Sequence, residues 1–412
     1  MKKTRVFAAV LLALLLVQTG VCADENAFAG EPRVVTEYMN DTLYESFEEP
    51  PVLPASGNVM PDIPASSALL CEVSTGTVLF EKDADSRRPP ASITKIMTML
   101  LTVEAVESGK ISFNDTVTAS KHACSMGGSQ IWLEEGETMV LSDLLKAVAV
   151  GSANDAAVAV AEHIAGSEEA FAVLMNKRAA ELGMKDTHFV NASGLDADGH
   201  ISTAADVAKM ACELLKHDVI KNYTTIWTDT LRNGKTQLVN TNKLIRFYEG
   251  ATGLKTGTTD KAGYCVTASA KKNGTELVAV ILDGQTSDLR FTAAKALLNY
   301  GFANFETAFP QIGEEALLEV PVRGGQKSYV KLEGAKNNRL LTEKGRGGDI
   351  EVKIELEPSV DAPVAKGRIL GHAVFSLDGE TLMTKELYAC EEVKQKTFGF
   401  SLGAFGRRFF AI

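Results

Sequence analysis

Ser92 and Lys95 stand three residues apart at the start of an apolar run, a spacing that can give a hydroxyl nucleophile its own base. Pro89 and Pro90 end whatever comes before, because the residue ahead of a proline is pushed out of the helical region. Ile96-Met97-Thr98-Met99-Leu100-Leu101 then predicts a buried helix ending near Gly109. Residues three apart share a helix face, so hydroxyl and amine meet at the N-terminal end, where free N–H groups carry partial positive charge. A half-buried lysine there is disfavoured as a cation, and its pKa falls. Ser-x-x-Lys recurs at Ser269 to Lys272 and at Ser328 to Lys331, but neither copy opens a helix.

Acyl transfer by a serine also needs a proton relay and two donors for the oxyanion. Ser152-Ala153-Asn154 is wedged between apolar helices expected at 141–150 and 156–165, where unsatisfied polar groups are costly. The plain explanation is a cap, Asn154 or Asp155 closing the second helix. Ser56-Gly57-Asn58 repeats the pattern in a stretch with no regular period, so the pattern alone proves little. Read as chemistry, Ser152 can pass a proton between Lys95, Lys255 and a leaving group, and Asn154 can hold a substrate amide. Lys255, Thr256 and Thr258 put a cation and two hydroxyls on one strand, as a bound carboxylate requires. Gly257, lacking a side chain, lets a substrate backbone lie close and pair with the strand. The N–H groups of Ser92 and Thr258 can form the oxyanion hole.

The elements that must position these groups read as follows. A β-hairpin is expected at 68–80, then the Ser92 helix, a loop-rich stretch to Gly136, and helices at 141–150, 156–165, 171–182 and 206–216. Asn233-Gly234 signals a hairpin turn. Strands at 254–258, 264–269 and 276–282 form an antiparallel meander, closed by a helix at 292–300. Residues 62–303 therefore predict an α+β domain, helices on an antiparallel sheet. Residues 304–390 predict a small all-β domain, where Ile350, Val352, Ile354 and Leu356 alternate with charged residues. In 391–412, Phe398, Leu402, Phe405, Phe409 and Ile412 form one helical stripe beside Lys394, Lys396, Arg407 and Arg408, which suits a helix lying on a membrane surface.

Residues 1–23 have the basic start, apolar middle and small-residue end of a secretory signal, and 24–61 read as a loose tether. Losing Lys2, Lys3 and Arg5 takes the formal charge from −11 to −14, which argues against nucleic acid as a partner. Cys71, Cys124, Cys212, Cys265 and Cys390 remain, scattered and odd in number, and read as buried free thiols. No His-Glu-x-x-His or Cys-x-x-Cys spacing occurs, so neither a metal nor another cofactor is expected.

Ser92-Ile93-Thr94-Lys95, Ser152-Ala153-Asn154 and Lys255-Thr256-Gly257, in that order, resemble the three motifs of penicillin-binding proteins and serine β-lactamases. Gly128-Ser129-Gln130, Gly194-Leu195-Asp196-Ala197-Asp198-Gly199 and the run Thr256 to Tyr264 extend the likeness to the low-molecular-weight D-alanyl-D-alanine carboxypeptidases, over residues 62–412. The resemblance implies a penicillin-binding-type catalytic domain followed by a β-rich domain and an amphipathic anchor. It implies Ser92 as nucleophile, Lys95 as base, Ser152 and Asn154 as relay and positioner, and Lys255 with Thr256 near the substrate carboxylate. Arg290, after the meander, takes the place of an arginine that often helps hold that carboxylate. The implied partners are peptidoglycan stem peptides, β-lactams as inhibitors, and the outer face of the cytoplasmic membrane. Thr258 departs from members that carry histidine, which implies tuning rather than loss. A class A β-lactamase would carry a Glu-x-x-Leu-Asn motif between Ser152 and Lys255, and none occurs. A transpeptidase or endopeptidase of the same superfamily and a non-catalytic envelope scaffold are the alternatives.

Overall fold

A computed structural model describes residues 33–34, 60–312, 318–334 and 338–400. Strand β1 (Ala65–Glu72) sends Leu69 and Cys71 to one side and Ala68 and Leu70 to the other, and each side is a separate core. With β2 (Val78–Lys82) it forms the expected hairpin. Helix α1 (Lys95–Glu107) follows a 3-10 turn at Ala91–Thr94 and stops before Gly109, whose φ is +73°. The helix is buried all round its N-terminal half, as its unbroken apolar sequence requires.

The loop-rich stretch holds a small ribbon, β3 (Thr116–Thr118) paired with β4 (Thr138–Val140). Helix α2 (Leu141–Lys146) widens into a π-helix at Ala147–Gly151, and α3 (Asn154–Ala165), α4 (Glu168–Glu181) and α5 (Ala204–Lys216) follow. Strands β5 (Thr228–Leu231) and β6 (Thr236–Val239) form the hairpin around Asn233-Gly234. Arg33–Val34, inside the stretch expected to be a loose tether, pairs in parallel with β6.

The meander is β7 (Ala251–Thr259), β8 (Gly263–Lys272) and β9 (Thr275–Gly284), and the five-stranded sheet runs β2-β1-β9-β8-β7. Helices α1 to α5 share one core on one side of the sheet, with α1 and α5 against the strands; α6 (Ser287–Asn304) covers the other side with Phe291, Leu297 and Leu298. Strands buried on both faces read as near-continuous apolar runs, which is how 276–282 appears in the sequence. Strand β7 is an edge, and one face of it, at Gly257, lies against the 3-10 turn that carries Ser92.

From Phe305 to Ala389 the described elements are strands, apart from one 3-10 turn at Gly347–Asp349. Strand β10 (Phe305–Ala308) pairs with β13 (Leu340–Glu343). The larger sheet joins β11 (Glu319–Arg323), β12 (Tyr329–Glu333), β14 (Glu351–Leu356), β15 (Val360–Asp361), β16 (Ile369–Leu377) and β17 (Glu380–Ala389) in the order β14-β16-β17-β12-β11-β15. Its core is Val320, Val330, Leu370, Phe375 and Leu387. The expected anchor helix was to start at 391. Glu391 to Lys396 instead run extended, because Val393 exchanges backbone hydrogen bonds with Val364, and Lys394 and Lys396 pair with Gln326 and Gly324. Of the apolar stripe only Phe398 is described, and it is exposed; Leu402 to Ile412 lie outside the described residues.

Candidate active site

Ser92 sits in the 3-10 turn, one residue after Ala91, whose φ of 48° is unusual for a residue with a side chain. The turn halts β7 at contact distance: a Cβ built on Gly257 would lie 3.0 Å from Ser92 N and 3.1 Å from Ile93 N. Gly257 is therefore glycine to admit the protein's own nucleophile turn, not only a substrate backbone. Gly194 plays the same part on the other side. Its φ is +85°, and a Cβ there would fall 1.9 Å from Ala91 O.

Lys95, the first residue of α1, is fully buried. Its Nζ lies 2.9 Å from Ser92 Oγ, 2.6 Å from Asn154 Oδ1 and 2.6 Å from Ser193 O. Burial holds its pKa well below the usual lysine range, the like charge of Lys255 adds to this, and Asp155 opposes it. Asn154 does not cap α3 with its side chain. Its Oδ1 turns to Lys95, its Nδ2 donates to Gly127 O at 2.7 Å, and its N–H donates to Ser129 O. Ser152 terminates the π-helix in the left-handed region, φ 61°, and is buried. Among the described residues no hydrogen bond holds its hydroxyl. π-helical turns and strained residues concentrate at functional sites.

Lys255 faces the same interior, only 1% exposed, with Nζ donating to Thr256 O at 3.1 Å. Burial first, and then the Arg290 guanidinium, push its pKa down to about 7. Thr256 Oγ1 donates to Thr241 Oγ1, and Thr258 Oγ1 donates to Gly257 O. Arg290, on the first turn of α6, reaches Thr258 Oγ1 at 2.9 Å, Gly257 O at 3.1 Å and Cys265 O at 3.2 Å through Nη1. Its buried guanidinium stands behind the strand and fixes Thr258. Among the described residues, Lys95, Lys255 and Arg290 form no salt bridge.

The structure thus links Ser92, Lys95 and Asn154 by hydrogen bonds, sets Gly257 against the Ser92 turn, ties Arg290 to Gly257 and Thr258, and puts Lys255 within electrostatic reach of Lys95; Ser152 stands two residues before Asn154, and Thr256 turns its hydroxyl to Thr241. It adds groups that the sequence reading passed over. The Ser193 carbonyl is a backbone atom, invisible to side-chain patterns. Asp155, buried, accepts N–H bonds from Ile131, Leu133 and Ala156 and so pins the loop that follows Gly127. His200, 3% exposed, meets Thr94 Oγ1 at 2.7 Å while its Nδ1 accepts from Val190 N–H. Burial lowers its pKa to about 4, so it is neutral and ties the 190–200 loop to the nucleophile turn. At the far end of α1, Glu104, Glu213 and His217 gather within 4.8 Å, but Arg178 reaches Glu104 at 2.7 Å and Glu213 at 2.8 Å, which makes an ion-pair cluster of them.

A family model described as D-alanyl-D-alanine carboxypeptidase matches residues 55–286, and one described as the C-terminal domain of penicillin-binding protein 5 matches 306–395. D-alanyl-D-alanine carboxypeptidase DacF of Bacillus subtilis is 44% identical over 338 residues, 81% of this chain and 87% of that protein. The crystal structure of penicillin-binding protein 5 from Haemophilus influenzae superposes with a TM-score of 0.71 at 32% identity, over 82% of this chain and 100% of that one. Penicillin-binding protein D2 of Listeria monocytogenes, in its ampicillin-bound form, matches with a TM-score of 0.54 at 33% identity, over 59% of this chain and 100% of that one.

Proposed function

The chain belongs to the D-alanyl-D-alanine carboxypeptidase family, and we propose that its cleft releases the terminal D-alanine of peptidoglycan stem peptides through an acyl-enzyme on Ser92. It is a serine peptidase of the penicillin-binding type. In this reading the neutral Lys95 amine takes the Ser92 proton as Oγ attacks the penultimate carbonyl carbon. The N–H groups of Ser92 and Thr258 receive the oxyanion. The proton travels by way of the Ser152 hydroxyl to the leaving D-alanine nitrogen, and the C–N bond breaks. Water then attacks the ester, with Lys95 again as base, and Ser92 is restored. Asn154 holds the stem-peptide amide, and Lys255, Thr256 and Thr258, backed by Arg290, hold the terminal carboxylate.

One observation carries the assignment: a wholly buried lysine, with no salt bridge among the described residues, lies 2.9 Å from the hydroxyl of a partly buried serine. β-Lactams are read as suicide substrates of the same Ser92 oxygen, as the ampicillin-bound neighbour supports. The basic, apolar, small-residue leader at 1–23 supports export. The stripe from Phe398 to Ile412 supports attachment by a surface helix to the outer face of the cytoplasmic membrane. No described helix is long and apolar enough to cross a bilayer, as a surface helix would not need to be.

The test is D-alanine release from a peptide ending in D-Ala-D-Ala, with Ser92→Ala as control. Release that vanishes in the control is expected. Labelled penicillin bound at Ser92 without release would point to transfer onto an amine or to a binding role. Neither release nor labelling would sink the site.

A further inference from the structure

Cys71 on β1 and Cys212 on α5 bring their sulfurs to 3.5 Å across 141 residues of chain. Both are buried in the core that lies between the sheet and α1. The alternation of β1 turns Cys71 to the face that α5 covers, and Ala208, Ala211, Cys212 and Leu215 form the stripe of α5 that meets it. Cys265, by contrast, spends its thiol on Ala262 O. The contact with Cys212 first, and then burial, raise the Cys71 pKa well above the usual thiol value, and both buried sulfurs are shut away from an outside disulfide once the chain has folded. Any bond between these sulfurs is therefore made as the chain folds, before α5 seals the pair.

We infer that Cys71 and Cys212 are a covalent modification site, closed into an internal disulfide during folding outside the cytoplasm. The inference rests on the export proposed above. The two thiols give up two protons and two electrons as the S–S bond forms. The oxidant is a disulfide, either of a thiol oxidoreductase or of a small molecule such as oxidised glutathione, and its own S–S bond breaks to two thiols. Bringing the sulfurs from 3.5 Å to about 2 Å asks for a side-chain rotation. The bond clamps the first strand of the sheet to a helix that packs on the Lys95 helix, and it closes a long loop, where chain constraint is greatest.

The chain from Asp24, refolded with oxidised glutathione, tests this. Thiols are titrated in denaturant without reductant, and the bridge is located by peptide mapping. Three rather than five reactive thiols are expected, with the Cys71 and Cys212 peptides joined and the protein lighter by two hydrogens. Reduction should lower Tm by roughly 5–15 °C. D-Alanine release should change less than about twofold, since neither sulfur touches the cleft. The Cys71→Ser/Cys212→Ser double variant should lose the sensitivity of its Tm to reductant. Five titrating thiols, a bridge to any other cysteine, or a reductant effect that survives in the double variant would overturn the inference. A chain retained in the cytoplasm that still bridges on refolding would sink the export reading alone; an exported chain with five thiols would sink the bridge alone.

Discussion

Cations in the cleft and cations in the C-terminal region are handled in opposite ways. In that C-terminal region, Arg346 reaches Asp378 at 2.7 Å, Arg323 reaches Asp361 at 3.0 Å and Lys353 reaches Glu355 at 2.8 Å, each pair open to solvent on at least one side. Such exposed pairs are screened by solvent and add little to stability. In the cleft, Lys95, Lys255 and Arg290 are buried with no salt bridge among the described residues. The same residue type therefore shifts both ways: the Glu355 carboxylate raises the Lys353 pKa, while burial lowers that of Lys255 to about 7. The C-terminal region neutralises itself. The cleft keeps an electrostatic deficit that an anionic substrate can fill, at a cost in stability that the surrounding core carries.

Replacing Lys95 by Met should break this contrast most severely. A fall in kcat of about 10³-fold or more is expected in single-turnover D-alanine release, because the serine loses its base. Lys255→Met should lower kcat/KM about 10²-fold toward peptides ending in a carboxylate, and far less toward the corresponding amide. Equal losses on both substrates would remove Lys255 from carboxylate binding. For wild type, kcat/KM should decline on the alkaline side with an apparent pKa of about 7 as Lys255 loses its proton, and Lys255→Arg should move that limb upward.

Stability should respond with the opposite sign to activity. The folded Lys255 pKa lies below the unfolded lysine value, so between the two the unfolded chain binds more protons, and stability rises with pH across that window. The cost is largest below it. Lys255→Met should therefore raise Tm by a few degrees near about pH 6 and by less near about pH 10, read by calorimetry.

A smaller effect is expected for Gly257→Ala. Its Cβ, 3.0 Å from Ser92 N, must push the nucleophile turn back, and kcat should fall about tenfold. In the C-terminal region, Arg346→Ala should leave D-alanine release unchanged and move Tm by about 1 °C or less. A loss of activity comparable to that of Lys255→Met would erase the distinction between the regions.

Much of this was legible in the sequence because its signals are local. The Ser92–Lys95 spacing, the apolar run of α1 and the three meander strands all report on neighbours in the chain. The helix break at 151–154 was visible as well, with Ser152 read as relay and Asn154 as positioner, but the contact of Asn154 with Lys95 was not. Asn154 looks like a cap, and only the fold shows that its side chain faces Lys95, 59 positions earlier. The ribbon of β3 and β4 was missed because three-residue strands carry no measurable period. Ser193 was missed because its contribution is a carbonyl. The start of the C-terminal helix was misplaced because Lys394 and Lys396 flank a stripe that begins at Phe398; backbone pairing with Gly324 and Gln326, remote in sequence, claims them first.

The three oxygens around Lys95 Nζ also settle where its hydrogens can point. An ammonium has three hydrogens and can satisfy all three neighbours; a neutral amine has two and a lone pair. Asn154 Oδ1 and Ser193 O accept and cannot donate, so they claim the two hydrogens. The lone pair is left for the one neighbour that can give a proton, Ser92 Oγ. The site therefore aims its base by valence. Once protonated, the nitrogen can pass its proton on only through a hydroxyl, because the amide and carbonyl oxygens beside it accept a hydrogen bond but relay nothing.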